Sequence, residues 1–393
     1  MQERHGHSFN GKLTVLLMLT VAYRATSIML QTTVPLYAKY VLGGSDFTVS
    51  VIAGAASVMP IASLLYMTLR GIDLNHGLPL TLAFVAVSLP LFLFARNNIA
   101  LLAISSFAFL WTGPASVLLL TSVIMVSTPE KRERNIFLFT AMLSISLALS
   151  PLFQSAILQL ASDNLAYSMA LYSPFIAVPL LFYPFAKIDK DLKLKTTFDP
   201  GFLRNRSYLM GVVSSVMFSI PFAILLTFGG IFSKNEFQAG YNTIEALFTL
   251  FFVVSLSVRL GLIRSKASRF KLVSVMICTT SVGLGVVSAS FRFWQLVLGF
   301  LLLGCSHGLY YPTASNFIAE STSSYKLTAA NSVWFVTDTL ISSTSLPVMG
   351  WLIELFGIRP ALLFVEIPVV VLGLVFLRLA RGYSSPNPPT GRG

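Results

Sequence analysis

Apolar residues run in stretches of membrane length along this chain, and short polar segments break them at regular intervals. The pattern predicts twelve helical spans, at residues 13–38, 48–69, 78–95, 99–126, 136–158, 166–186, 208–232, 241–263, 272–290, 294–319, 328–355 and 361–380. A helix needs about 20 apolar residues to cross a hydrocarbon layer, so these stretches read as crossings. The pattern is also written twice. Arg96 and Arg292 stand 196 residues apart, as do Pro151 and Pro347, and from Arg96 to Pro151, as from Arg292 to Pro347, run an apolar stretch, a polar break (127–134 or 321–326) and a second apolar stretch. Parallel repeats of spanning segments imply two halves about a central site. The expected organisation is a cytoplasmic N-terminus (1–12), a six-helix bundle (13–186), a cytoplasmic linker (187–207), a second six-helix bundle (208–380) and a disordered cytoplasmic tail (381–393). The fold class is thus all-α integral membrane, with twelve transmembrane helices in two pseudo-symmetric bundles.

Composition agrees. Apolar residues make up 55% of the chain and charged residues 11%, against roughly 25% charged in soluble domains. The net charge of +12 raises the question of nucleic acid, but the basic residues follow the loops. With the N-terminus inside, 21 Lys and Arg fall on the inner side and five outside: Lys39, Arg96, Lys234, Arg292 and Arg359. That asymmetry follows the positive-inside rule, places both termini in the cytoplasm and removes the argument for nucleic acid. A cleaved signal peptide is not expected, because the first apolar run is too long and contains Arg24. The basic segment 187–206 fits a solvated connector better than a helix lying on anionic lipid. Cys278 and Cys305 lie inside apolar stretches and imply no disulfide framework, and the histidines show no metal-ligand spacing.

Leu346, Pro347, Gly350, Trp351, Phe356, Gly357, Arg359 and Pro360 are similar to the end of helix 11 and turn into helix 12 of the major facilitator superfamily, and with the segments that follow, in order and at duplicated spacing, the resemblance covers essentially the whole chain. Pro129, Glu130, Arg132 and Arg134 resemble its basic loop between helices 4 and 5, with 321–326 a weaker copy. Its motif after the second helix of each half is degraded. Gly261, Ser265, Lys266, Ser268 and Arg269 keep the frame and basic character in the second half, and Asp73 and Gly77 keep fragments in the first. Ser146, Ser150, Pro151 and Ser155 resemble a serine version of the small-residue motif on helix 5 of the family's exporters. With Pro347 and Gly350, they are the expected packing and gating positions.

Ionisable groups at membrane depth cost about 2.5–3.5 kcal/mol by insertion scales and mark function by default. Arg24, His307 and Asp338 are such groups near the middle of their spans. Arg24 shares a helical stripe with Thr20, Ser27 and Gln31, and His307 shares one with Tyr310, Tyr311 and Ala314. Asn331, Trp334, Asp338, Ser342 and Ser345 form a third. In the resembled family helices 1, 4, 7 and 10 surround the cavity, which implies that the first two stripes face it. Arg24, Ser27, Gln31, His307, Tyr310, Tyr311 and Trp334 are the candidate substrate-binding residues, and Asp338 and His307 the candidate proton carriers. The competing readings are a structural role for Arg24 as partner of a carboxylate or of carbonyls, a like role for Asp338, a direct pair between the two, and for His307 a hydrogen-bonded imidazole in a packed interface. Phe109, Trp111, Phe218 and Phe222 are further aromatic candidates for the pocket floor, with packing as the default role.

The expected function is secondary active transport of a small molecule by alternating access, proton-coupled, with efflux of amphipathic or drug-like compounds favoured. Uptake or export of a sugar or small organic anion is the alternative, and a non-transporting membrane receptor the rival from another class. No nucleotide-binding or hydrolytic motif argues for an enzyme or a cofactor. The expected partners are the substrate, protons and the lipid bilayer; the expected state is a monomer in the plasma membrane.

Overall fold

The computed structural model describes residues 3–70, 73–188, 200–265, 267–321, 327–381 and 383. Among these, eleven helices are long and apolar enough to cross a membrane, and one shorter apolar helix completes the order. They are α1 (Gly11–Val41), α2 (Asp46–Met67), α3 (Leu74–Phe94), α4 (Asn98–Met125), α5 (Arg134–Leu160), the shorter α6 (Leu165–Leu181), α7 (Arg206–Phe237), α8 (Tyr241–Leu262), α9 (Arg269–Ser288), α10 (Phe293–Glu320), α11 (Ala330–Phe356) and α12 (Ile358–Ala380). The expected spans appear in the same order, with ends shifted by a few residues. The helix of α1 starts at Glu3, inside the segment 1–12 expected as a separate N-terminus. Residues 189–199 of the expected linker, 322–326 of the second polar break, Lys266 and 384–393 of the tail lie outside the described residues.

Short polar side chains set where helices begin. Asn97, Asn164, Asn205 and Ser268 each accept a backbone N–H of the first turn, supplying a partner the helix itself lacks. Trp111 interrupts α4, and the Tyr23 hydroxyl of α1 donates to the Thr112 carbonyl just beyond it, at 2.6 Å. Proline recurs inside the helices, as at Pro35, Pro151, Pro221, Pro312 and Pro347. Neighbouring helices re-satisfy the carbonyls that proline frees, which lipid could not do.

The surface is inverted relative to a water-soluble protein. Ile99, Leu160, Leu181 and Leu374 are exposed, while Thr20, Ser50, Ser150, Gln154 and Ser215 are buried. Within the first half α1 packs on α5, and within the second α7 packs on α10, α11 and α12. The halves meet along two seams, α2 on α11 and α5 on α8, with α1 touching α7 between them.

Candidate functional site

Helices alternate in direction, so odd helices end, and even helices begin, at one common face. The halves are joined there. The Tyr40 hydroxyl donates to Asn235 Oδ1 at 2.6 Å, the Phe47 N–H donates to Glu354 Oε1 at 3.0 Å, and the Ser155 hydroxyl donates to Asn242 Oδ1 at 3.0 Å. Gly350 makes the α2–α11 seam possible: a Cβ there would lie 2.1 Å from Ser50 Oγ and 2.7 Å from the Asp46 carbonyl oxygen. One turn deeper, Gly54 would put a Cβ 2.8 Å from the Ser343 carbonyl oxygen and 3.2 Å from Pro347 Cδ. Pro347 and Gly350 therefore lie on the seam, at backbone-to-backbone contact.

Beneath this face is a small cavity of about 50 Å3, lined by Gln31, Val34, Phe109, Ala223, Thr227 and Leu346 among others. Gln31 Nε2 donates to Ser27 Oγ at 3.3 Å, which keeps part of the α1 stripe together. Deeper still is a charged level. Arg24, Arg259, Tyr311 and Asp338 are each seventeen or eighteen residues from their helix end at the joined face, about 26 Å at 1.5 Å per residue. The charges of Arg24 and Arg259 act on each other and on Tyr310 and Tyr311.

Asp338 belongs to α11 and accepts a hydrogen bond from Ser215 of α7 at 2.7 Å. The competing reading, a direct pair of Asp338 with Arg24, is not formed. His307 is fully buried. Its Nδ1 lies 2.7 Å from Ser255 Oγ, and Phe218, Phe222, Phe251, Phe252 and Tyr310 surround the ring at centroid distances of 4.5–5.9 Å. Gly308 brings α10 this close to α8, because a Cβ there would meet the Ser255 carbonyl oxygen at 2.8 Å. Tyr311 packs against Trp334 at 5.3 Å, and Trp334 Nε1 is buried without a partner. Phe109 lines the cavity, whereas Trp111 stacks on Phe84 at 4.4 Å. Asn331 is exposed.

The serines of α5 divide their work. Ser150 donates to the Ala25 carbonyl at 2.6 Å and holds α5 to α1, while Ser155 reaches across to α8. Ser146 is buried and bonds back to the Leu143 carbonyl. The degraded motif of the second half retains a charge pair, since Arg269 at the start of α9 binds Glu320 at the end of α10. In the first half Asp73 instead caps α3. The Asn75 N–H it accepts at 2.7 Å is the main cause holding its carboxyl below the usual range.

Two residues escaped the sequence reading. Arg259, counted there with the inner-side basic residues, is inside α8: its Nη1 donates to Ser144 of α5 at 3.0 Å and its Nη2 to the His307 carbonyl at 3.3 Å. Glu245, also on α8, is 1% exposed, and its Oε2 has no partner. The signal was present, an acid and a base fourteen positions apart within one apolar span, but both stood near enough to the span's ends to pass as loop charges.

Residues 209–393 match the family model described as the Major Facilitator Superfamily. No curated protein matches the sequence. Among solved structures, the chain is similar to a bacterial homologue of the human lysosomal transporter Spinster in an inward-facing and occupied conformation, at 12% identity over 98% of each chain and a TM-score of 0.74. It is similar to a POT family transporter in complex with 5-aminolevulinic acid, at 11% identity over 94% of this chain and 96% of that one, with a TM-score of 0.78. It also resembles the nucleoside transporter NupG, at 12% identity over 94% of this chain and 99% of that one, with a TM-score of 0.75. The likeness at these identities is one of fold.

Proposed function

We propose that this chain, which matches the Major Facilitator Superfamily model over residues 209–393 and shares the fold of such transporters over its length, is a proton-coupled secondary transporter that moves an amphipathic small molecule by alternating access. The observation that carries the reading is the set of seams: the halves are joined by side-chain hydrogen bonds at one face, above a level of polar and charged side chains drawn from both halves. A molecule held at that level is reached from one side at a time as the halves rock.

By the distribution of basic residues, the joined face is the external one and both termini are cytoplasmic in the plasma membrane. The arrangement then corresponds to access from the cytoplasm, and the serine motif of α5 favours export. Asp338, with His307 beside the same level, is the proton carrier read from the sequence. Glu245 joins them because a carboxyl with an unpartnered oxygen, buried in a seam, is hydrated when the seam opens and stripped of water when it closes.

Reconstituted vesicles with an imposed pH gradient test this. Asp338→Asn is expected to abolish gradient-driven accumulation while exchange across the membrane continues. Accumulation at the unmodified level would move the proton route away from Asp338. Binding without flux under any gradient would favour the receptor reading.

A further inference from the structure

Resting on the transporter reading, we propose that Arg24 of α1 and Arg259 of α8 together bind the anionic group, a carboxylate or sulfonate, of an amphipathic organic anion, with one arginine supplied by each half.

The two arginines share one depth and act on each other electrostatically. Neither has an ion-pair partner among the described residues. The acid at the same level, Asp338, accepts from Ser215 and is bound to neither arginine. Glu245 is on the same helix as Arg259 but fourteen residues away, about 21 Å along the axis. The level therefore carries more positive than negative charge inside a membrane, where an unneutralised cation is costly. Arg259 is positioned rather than spent. Two of its nitrogens hold Ser144 and the His307 carbonyl, which fixes the guanidinium plane, while its Nε is buried without a partner. A guanidinium has five N–H donors in a planar fork that matches a carboxylate or sulfonate edge, so donors remain for a ligand.

The neighbours suit the rest of such a molecule. Tyr310 and Tyr311 bring hydroxyl groups into the field of both charges, and Tyr310 against Phe218, with Tyr311 against Trp334, forms aromatic wall. The arrangement also ties the ligand to the conformational cycle. Bringing the halves together at the other face presses two like charges from opposite halves toward each other. An anion between them converts that repulsion into two attractions, so closure is favoured when the site is filled.

The test uses purified full-length protein in detergent, with binding read by calorimetry and thermal shift. The probes share one ring system and differ in charge: naphthaleneacetate, naphthalenesulfonate, naphthylmethylamine and naphthalenemethanol. The two anions are expected to bind, the amine and alcohol at least tenfold more weakly. Arg24→Gln and Arg259→Gln should each weaken anion binding about tenfold or more, the loss typical of a hydrogen bond to a charged group. Arg24→Lys and Arg259→Lys should recover part of it. If Arg259→Gln does not fold, Arg24→Gln and Arg259→Lys carry the test. Equal binding of the alcohol, no binding of either anion, or anion binding unchanged in the variants would overturn the proposal. Because binding needs no gradient, its failure is separable from that of the transporter reading. Arginine-dependent binding without flux sinks transport and keeps the site, and flux indifferent to both arginines does the reverse.

Discussion

The internal duplication places two seams at equivalent positions, α2 on α11 and α5 on α8, and their chemistry is opposite. In the 196-residue register Gly350 corresponds to Gln154, Ser50 to Ala246, Asp46 to Asn242 and Val49 to Glu245. The first seam is closed by backbone contact at Gly54 and Gly350. Small residues let helices approach until dispersion acts over their full length, and such packing is indifferent to pH. The second seam is held by Ser155 on Asn242 and Arg259 on Ser144, and it buries Glu245 with one oxygen unpartnered. One helical arrangement thus yields a seam closed mainly by shape, with Glu354 on the Phe47 N–H at its outer end, and another held by polar side chains around a buried carboxyl group.

The contrast is most exposed to breakage at Gly350. A leucine there collides with Ser50 and the Asp46 carbonyl, a misfit of about 1–3 kcal/mol that the backbone must relieve by separating. Flux in vesicles is expected to fall at least tenfold, and spin labels at Ser45 and Phe356 should report a longer distance, with helix content unchanged by circular dichroism. Gln154→Leu, at the register-equivalent position on α5, whose side chain donates to Thr33 and Ser168 within the first half, should perturb the distance much less. Unaltered flux in Gly350→Leu would mean that this seam need not close.

Exchanging the acid between seams comes next. Val49→Glu places a buried carboxyl in the seam whose own carboxylate, Glu354, is exposed at its outer end, and is expected to destabilise by about 2.5–3.5 kcal/mol, read as a lower melting temperature. Glu245→Gln should leave the melting temperature unchanged or raised, while accumulation driven by a pH gradient drops roughly tenfold and exchange continues. A Glu245→Gln protein that responds to the gradient like the parent would make the polar seam a packing feature only.

The smallest effects are single hydrogen bonds at the joined face. Ser155→Ala and Tyr40→Phe each remove one hydroxyl that joins the halves, that of Tyr40 being shared between Asn235 and the Ile231 carbonyl, and each is worth about 1 kcal/mol. Each is expected to shift the balance of the two access states by about fivefold, measurable by cysteine labelling near the cavity with and without ligand. A much larger shift for Tyr40→Phe would transfer the latch from the seams to the α1–α7 contact.

The order of the spans, their number and the duplicated half were determined by the sequence alone, because a helix crosses a bilayer only with an apolar stretch of matching length and the repeat is visible in residue spacing. Depth was legible for the same reason: Arg24, His307 and Asp338 stood out as ionisable groups in apolar runs. Partnership was not. Ser215 and Asp338 are 123 residues apart, and Ser144 and Arg259 are 115 apart, so nothing local specifies that they meet. Whether His307 would be enclosed by aromatics, whether Arg24 would find Asp338, and that Glu245 would enter a seam rather than a loop depended on how α8 and α10 approach, which Gly308 permits. Periodicity places a side chain on a face of its helix; only the packing of several helices decides what that face meets.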